Sequence, residues 1–145
     1  MNCNTDLKSS LLSRILPYFN SIMSLRSHNR AYQDLLTLLT EFASYLITDE
    51  PTHSQPQINR KFQDLSLWFE RNIANLSKED LELAIAPRWQ AVQTEIKREF
   101  KLLSTDILFL ATAHRNDTQR KRLKSINNRL TKLIGYCHVI LQDSD

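Results

Sequence analysis

The sequence contains very little glycine, with Gly135 the single example among 145 residues. Tight β-hairpin turns and loops that cradle phosphates depend on glycine, because glycine adopts backbone conformations closed to other residues. A chain with one glycine and four prolines is therefore most easily built from long helices joined by a few loops. The same scarcity excludes the glycine-rich nucleotide-binding motifs and the nucleophile elbow of α/β-hydrolases.

Cysteine and long apolar runs are also scarce. Cys3 and Cys137 do not belong to a CxxC pair, so they imply neither a metal framework nor a redox motif. Two free thiols are favoured over one disulfide, because the chain carries no signal peptide and a reducing compartment is expected. The longest apolar run, Ile107–Ala111, is far shorter than the roughly 20 residues that a membrane span needs. The sequence thus predicts a cytoplasmic protein without a transmembrane segment.

No residue pattern typical of an active site is visible. The four histidines lack the helical spacing of metal ligands, so neither a metal nor another cofactor is expected. His114 and Asp117 meet at a helix junction, where a capping interaction is favoured over an acid/base pair. Glu99 and Asp106 are seven residues apart and share one helix face. Pairing with an arginine or tyrosine of a neighbouring helix is favoured over a catalytic carboxylate. We therefore predict that the chain is not an enzyme.

Apolar residues recur with helical spacing through most of the chain. This periodicity predicts helices over residues 28–48, 57–76, 87–114 and 118–142, with a short helix over 77–85 that ends before Pro87. The short connection between the last two predicted helices favours an antiparallel hairpin. The expected fold is all-α and four-helix-bundle-like, with a long C-terminal antiparallel helical hairpin and an extra N-terminal helix.

The N-terminal segment is predicted to form an amphipathic extension over residues 1–26, before a single helical bundle domain over 27–142. Leu7, Leu11 and Ile15 lie at helical spacing, but Pro17 removes an amide donor and is expected to break or kink the helix. With Lys8 nearby, such a stretch is compatible with binding to a membrane surface. Its modest charge favours packing onto the bundle, or fraying, instead.

The net charge of +3 conceals a local excess of positive charge. Residues 97–132 carry ten basic and three acidic side chains. Arg98, Lys101, Arg120 and Lys124 are the candidate partner-binding residues, because their positions lie off the apolar stripes. Three interpretations are a solvated helical face, a surface that binds an acidic protein, and a phosphate-binding surface for nucleic acid. An alternative binding region is the apolar flank around Trp68 and Trp89.

The C-terminal hairpin contains short sequence motifs that resemble those of a known family. They are Arg88-Trp89-Gln90, Glu95–Arg98, Leu102–Ala111, Arg129-Leu130 and Leu133–Cys137. Together they resemble PatD, the cyanobacterial heterocyst frequency control family, with the likeness sharpest over residues 88–140.

The resemblance implies a helical, cytoplasmic regulator of cell differentiation that contacts the division protein FtsZ and modulates its assembly. The expected function is accordingly that of a non-enzymatic regulatory protein that binds a protein partner. A nucleic-acid-associated helical protein, using the basic face over residues 97–132, is the alternative. Neither the partner's binding surface nor the oligomeric state follows from the sequence.

Overall fold

The computed structural model describes the backbone of residues 3–47, 55–79 and 81–142, and the side chains of residues 13–16, 22–47, 56–79 and 81–142. Four helices account for most of these residues: α1 (Cys3–Ile47), α2 (Gln55–Asn72), α3 (Ala86–Thr112) and α4 (Asn116–Gln142). No strand occurs within these ranges. The all-α, bundle-like fold predicted from the helical periodicity is confirmed.

Successive helices run in opposite directions. At one end of the bundle Phe42 of α1 contacts Phe62 of α2, with ring centroids 6.0 Å apart, while Leu25 lies near Ile140 at the other end. Only three residues join α3 to α4, so these two helices form the expected antiparallel hairpin. The resulting up-down-up-down arrangement places each apolar stripe toward a common centre.

The core consists of the stripes that the periodicity predicts. The buried members are Tyr32, Leu35, Leu39 and Phe42 of α1, Ile58, Phe62, Leu65 and Phe69 of α2, Trp89, Ile96, Phe100, Leu103, Ile107 and Leu110 of α3, and Ile126, Leu130, Leu133, Cys137 and Ile140 of α4. Ile73, which directly follows α2, is buried with them. Phe69 and Phe100 stack nearly parallel, with centroids 3.9 Å apart, and join α2 to α3.

The predicted N-terminal helix is present, but it is continuous with the helix expected over residues 28–48, because α1 is one helix of 45 residues that continues through Pro17. Proline removes a single amide donor and disfavours a helix interior by about 3 kcal/mol. The expected boundary between residues 26 and 27 consequently lies inside a continuous helix.

The segment between α2 and α3 forms turns where a short helix over 77–85 was expected. Ser77 does act as a cap, since its hydroxyl accepts a hydrogen bond from the amide of Glu79 at 3.1 Å. So short a segment gains too few helical hydrogen bonds to offset the cost of nucleation. The buried Leu81 anchors it to the core, and α3 begins at Ala86 with Pro87 in its first turn. The connection between α1 and α2, residues 48–54, lies outside the described residues.

Candidate partner-binding surface

The basic segment forms most of the outer surface of the α3–α4 hairpin. Its exposed cations are Lys97, Arg98, Lys101, Arg115, Arg120, Lys121, Lys124 and Lys132. Of the three carboxylates in residues 97–132, Glu99 and Asp106 are buried and Asp117 is exposed. The exposed side chains of the segment therefore carry eight positive charges and one negative charge.

Arg98 and Lys101 lie about 60° apart around α3, as their spacing of three requires, but their side chains meet different neighbours. Arg98 donates two hydrogen bonds to Glu95, at 2.8 and 3.1 Å, and these raise the pKa of its guanidinium. It also lies 3.6 Å from the carboxylate of Glu99, on the side of α3 that meets α4. Lys101 instead lines a groove between α2 and α3 with Glu70. Arg98 is thus engaged by carboxylates of its own helix, whereas Lys101 is placed beside the groove between α2 and α3.

Arg120 and Lys124 are exposed on α4, as expected. The pairing of Glu99 with Arg129 and of Asp106 with Ser125 fixes the axial register of the hairpin. In that register, a rise of 1.5 Å per residue places Arg120 roughly 18 Å from Arg98 along the bundle axis. This distance exceeds the Debye length of about 8 Å at physiological ionic strength. The four predicted residues therefore form a dispersed basic surface and not a compact pocket.

Arg129 holds the two buried carboxylates of α3. Its Nε donates to Asp106 Oδ2 at 2.8 Å and its Nη1 donates to Glu99 Oε2 at 3.1 Å. Burial opposes the positive charge of Arg129, but these hydrogen bonds outweigh that effect and raise the pKa of its guanidinium. Ser125 donates a further bond to Asp106 Oδ2 at 2.8 Å. The expectation that these carboxylates pair with a neighbouring helix is confirmed.

The two tryptophans do not form one apolar flank. Trp89 is only 4% exposed and packs against His28 and Tyr32, with ring centroids 5.1 and 6.3 Å away. It is a core residue, so its assignment to a surface binding region is wrong. Trp68 is half-buried and lines a groove of about 380 Å³ between α1 and α2, with Tyr45 nearby. Of the two, Trp68 alone is placed to contact a partner.

Trp89 also belongs to a cluster of buried polar groups that the sequence does not reveal. His28 Nδ1, Asn29 Oδ1, the Tyr32 hydroxyl and Trp89 Nε1 all lie buried without a hydrogen-bond partner. Burial raises the pKa of Tyr32, and a weak contact with Gln93 offsets part of that rise without reaching hydrogen-bonding geometry. The adjacent pocket has a volume of about 190 Å³. This is smaller than the roughly 300–1,000 Å³ typical of small-molecule sites.

His114 is exposed just beyond the end of α3, although its spacing matches the inward stripe. Within residues 3–47, 55–79 and 81–142, no group of three or more His, Cys, Asp and Glu side chains is placed to hold a metal ion. None of the described helices is long and apolar enough to cross a membrane. The most distinctive surface of the described chain is thus the dispersed basic face of the α3–α4 hairpin. The Trp68 groove lies elsewhere, between α1 and α2.

Comparison with known proteins identified no relative of this chain. No family model, no curated protein and no solved structure matches the chain. The resemblance to the PatD family therefore remains a hypothesis that rests on the short sequence motifs of α3 and α4.

Proposed function

We propose that this chain is a non-enzymatic regulatory protein that binds an acidic surface of a protein partner through the α3–α4 hairpin. The observation that carries the proposal is the charge distribution of the hairpin. Eight cations are exposed, while two of the three carboxylates are buried against Arg129. The PatD resemblance makes FtsZ the partner to test, as the filament whose assembly such a regulator would modulate.

The spacing of the cations favours long-range attraction over a single tight contact. Lys101, Arg120 and Lys124 form no ion pair with another described residue, so their charges are available to a partner. Complementary charges spread over a surface mainly raise the association rate and make binding depend on salt. The half-buried Trp68 supplies an apolar contact of the kind that anchors protein interfaces. A protein is favoured over nucleic acid because the four residues form a dispersed surface, with Arg120 roughly 18 Å from Arg98 along the bundle axis, and do not line one groove-sized stripe.

The test is co-sedimentation of the protein with FtsZ filaments at low and high salt. Arg98, Lys101, Arg120 and Lys124 are together reversed to glutamate. The matched control reverses Arg30, Arg60, Arg71 and Lys78, which are exposed outside the hairpin. The hairpin variant is expected to fold normally by circular dichroism and to lose most of its binding, whereas the control retains it.

Normal binding by the folded hairpin variant would refute the proposal and direct attention to the groove around Trp68. Equal loss of binding in both variants would show that only the net charge matters. Retention of DNA or RNA that weakens with salt, without binding to the filament, would favour the alternative of a nucleic-acid-associated protein.

A further inference from the structure

The first part of α1 extends past the end of the bundle with apolar side chains in solvent. Leu25 lies level with Ile140, two residues from the end of α4. At 1.5 Å per residue, α1 is about 67 Å long whereas α4 is about 40 Å long. The part of α1 before Leu25 exposes four large apolar side chains: Ile15 (55% exposed), Leu16 (56%), Ile22 (38%) and Met23 (48%). The expectation that this segment packs onto the bundle is therefore wrong for these four side chains.

The exposed apolar side chains face away from the bundle because of the helical phase. At about 100° per residue, Ile22 lies within roughly 20° of Ile15 around the helix axis. The buried stripe of α1, which begins with His28, Tyr32 and Leu35, is centred roughly 140° away from that direction. A continuous α1 cannot turn both faces toward the same core. The apolar face of the arm, defined here as residues 13–23 of α1, is therefore open to a partner outside the bundle.

The charge of this part of α1 is of one sign. Residues 7–33 contain no aspartate or glutamate, but they contain Lys8, Arg14, Arg26 and Arg30. Arg26 and Arg30 are exposed, and by helical phase they lie on the same side of α1 as Ile15. Directly after the apolar face of the arm, α1 thus presents two cations in the same direction.

The width of the apolar face distinguishes between a partner helix and a membrane surface. The four exposed side chains span an arc of roughly 120° around the helix. A strict coiled-coil seam is narrower, whereas a helix lying in a membrane interface presents a broad apolar face flanked by cations. The opposite side of the arm carries Ser13 and, just after the arm, Ser24, which suit contact with water.

We propose that the arm binds the surface of an anionic lipid bilayer, with Ile15, Leu16, Ile22 and Met23 among the acyl chains and Arg26 and Arg30 at the headgroups. A second copy of the chain fits less well, because pairing two arms would bring cations together without a carboxylate to offset them. The bundle would then be held at the membrane by α1, with the α3–α4 hairpin free for another partner.

The test measures flotation of the full chain with phosphatidylcholine vesicles that contain or lack phosphatidylglycerol. Binding is expected with the anionic vesicles and not with the neutral ones. Substitution of Ile15→Ser together with Ile22→Ser is expected to weaken binding roughly 100-fold, about tenfold for each buried side chain. Arg26→Gln with Arg30→Gln is expected to weaken binding roughly 30-fold, because each cation near an anionic surface contributes on the order of fivefold.

The matched control is Arg120→Gln with Lys124→Gln, which removes two exposed cations from α4. It is expected to bind vesicles like the original chain. Should the isoleucine variant lose helicity, Leu16→Ser with Met23→Ser tests the same face.

Failure of the unaltered protein to float with anionic vesicles would overturn the proposal. So would binding that depends on Arg120 and Lys124 but not on Ile15 and Ile22. A dimer in analytical ultracentrifugation that dissociates in the isoleucine variant, without vesicle binding, would assign the arm to a second copy of the chain instead.

Discussion

Replacing Arg129 by methionine should destabilise the fold more than its partly exposed position on α4 would indicate. The substitution removes the guanidinium that donates to both Asp106 and Glu99. Those carboxylates are only 6% and 1% exposed, so water cannot replace the lost hydrogen bonds. Removal of one partner from a buried ion pair costs about 3–5 kcal/mol, because it leaves an uncompensated buried charge.

The structure places the expected effect near the lower part of that range. Arg129 itself is 25% exposed at its side chain, and other cations approach the same carboxylates. Lys132 lies 3.8 Å from Glu99 and Arg122 lies 3.9 Å from Asp106. We expect the free energy of unfolding to fall by about 2–4 kcal/mol and the melting temperature by roughly 5–15 °C. Urea denaturation followed by circular dichroism measures the first quantity, and thermal denaturation measures the second.

A triple variant separates the cost of unpaired charge from lost packing. Glu99→Leu, Asp106→Leu and Arg129→Met together remove the whole network, and well-packed apolar replacements of buried ion pairs are commonly neutral or stabilising. We expect the free energy of unfolding of this variant to lie within about 1 kcal/mol of that of the original protein. It should therefore be clearly higher than that of Arg129→Met alone. If the single substitution costs less than about 1 kcal/mol, or if the triple variant is the weaker of the two, the network does not act as a paired buried charge.

Further predictions concern the core. Leu103→Ala and Leu130→Ala should each lower the free energy of unfolding by about 2–5 kcal/mol, because both side chains are almost fully buried in the hairpin seam; unchanged urea midpoints would contradict this. Trp89→Ala should cost about 3–5 kcal/mol and Trp68→Ala much less, a difference that thermal denaturation of the two variants measures and that equal losses would exclude. Burial raises the pKa of the Cys137 thiol from 9.0 to about 12. Its contribution to stability is therefore complete below pH 9 and is lost as the pH rises toward 12, where only the unfolded thiol ionises readily. Urea midpoints at pH 8 and pH 11 should differ less in Cys137→Ala than in the original protein, and an equal difference would refute the assignment.

The sequence alone determined the helices of the bundle and most of the core. Apolar side chains at spacings of three and four define one face of each helix, whatever that face later contacts. Leu130, Leu133 and Cys137 are buried for this reason, and so are Ile96 and Leu103. The near absence of glycine, with the short link between α3 and α4, was enough to predict an all-α fold with an antiparallel hairpin.

The tertiary structure decided what the faces contact, because this depends on the axial register and rotation of each helix against its neighbours. The shared helix face of Glu99 and Asp106 favoured pairing with an arginine or tyrosine of a neighbouring helix, but only the α3–α4 register identified Arg129 as the partner of both. Spacing also placed Arg98 and Lys101 near each other on α3, but only the packing shows that Arg98 meets Glu95 and Glu99. Lys101 instead lines the groove between α2 and α3. At Pro17 the local preference predicted a break or a kink, and the structure shows that α1 does not break there. The orientation of the exposed apolar arm relative to the bundle follows from that continuity, since a continuous helix fixes the phase between its two faces.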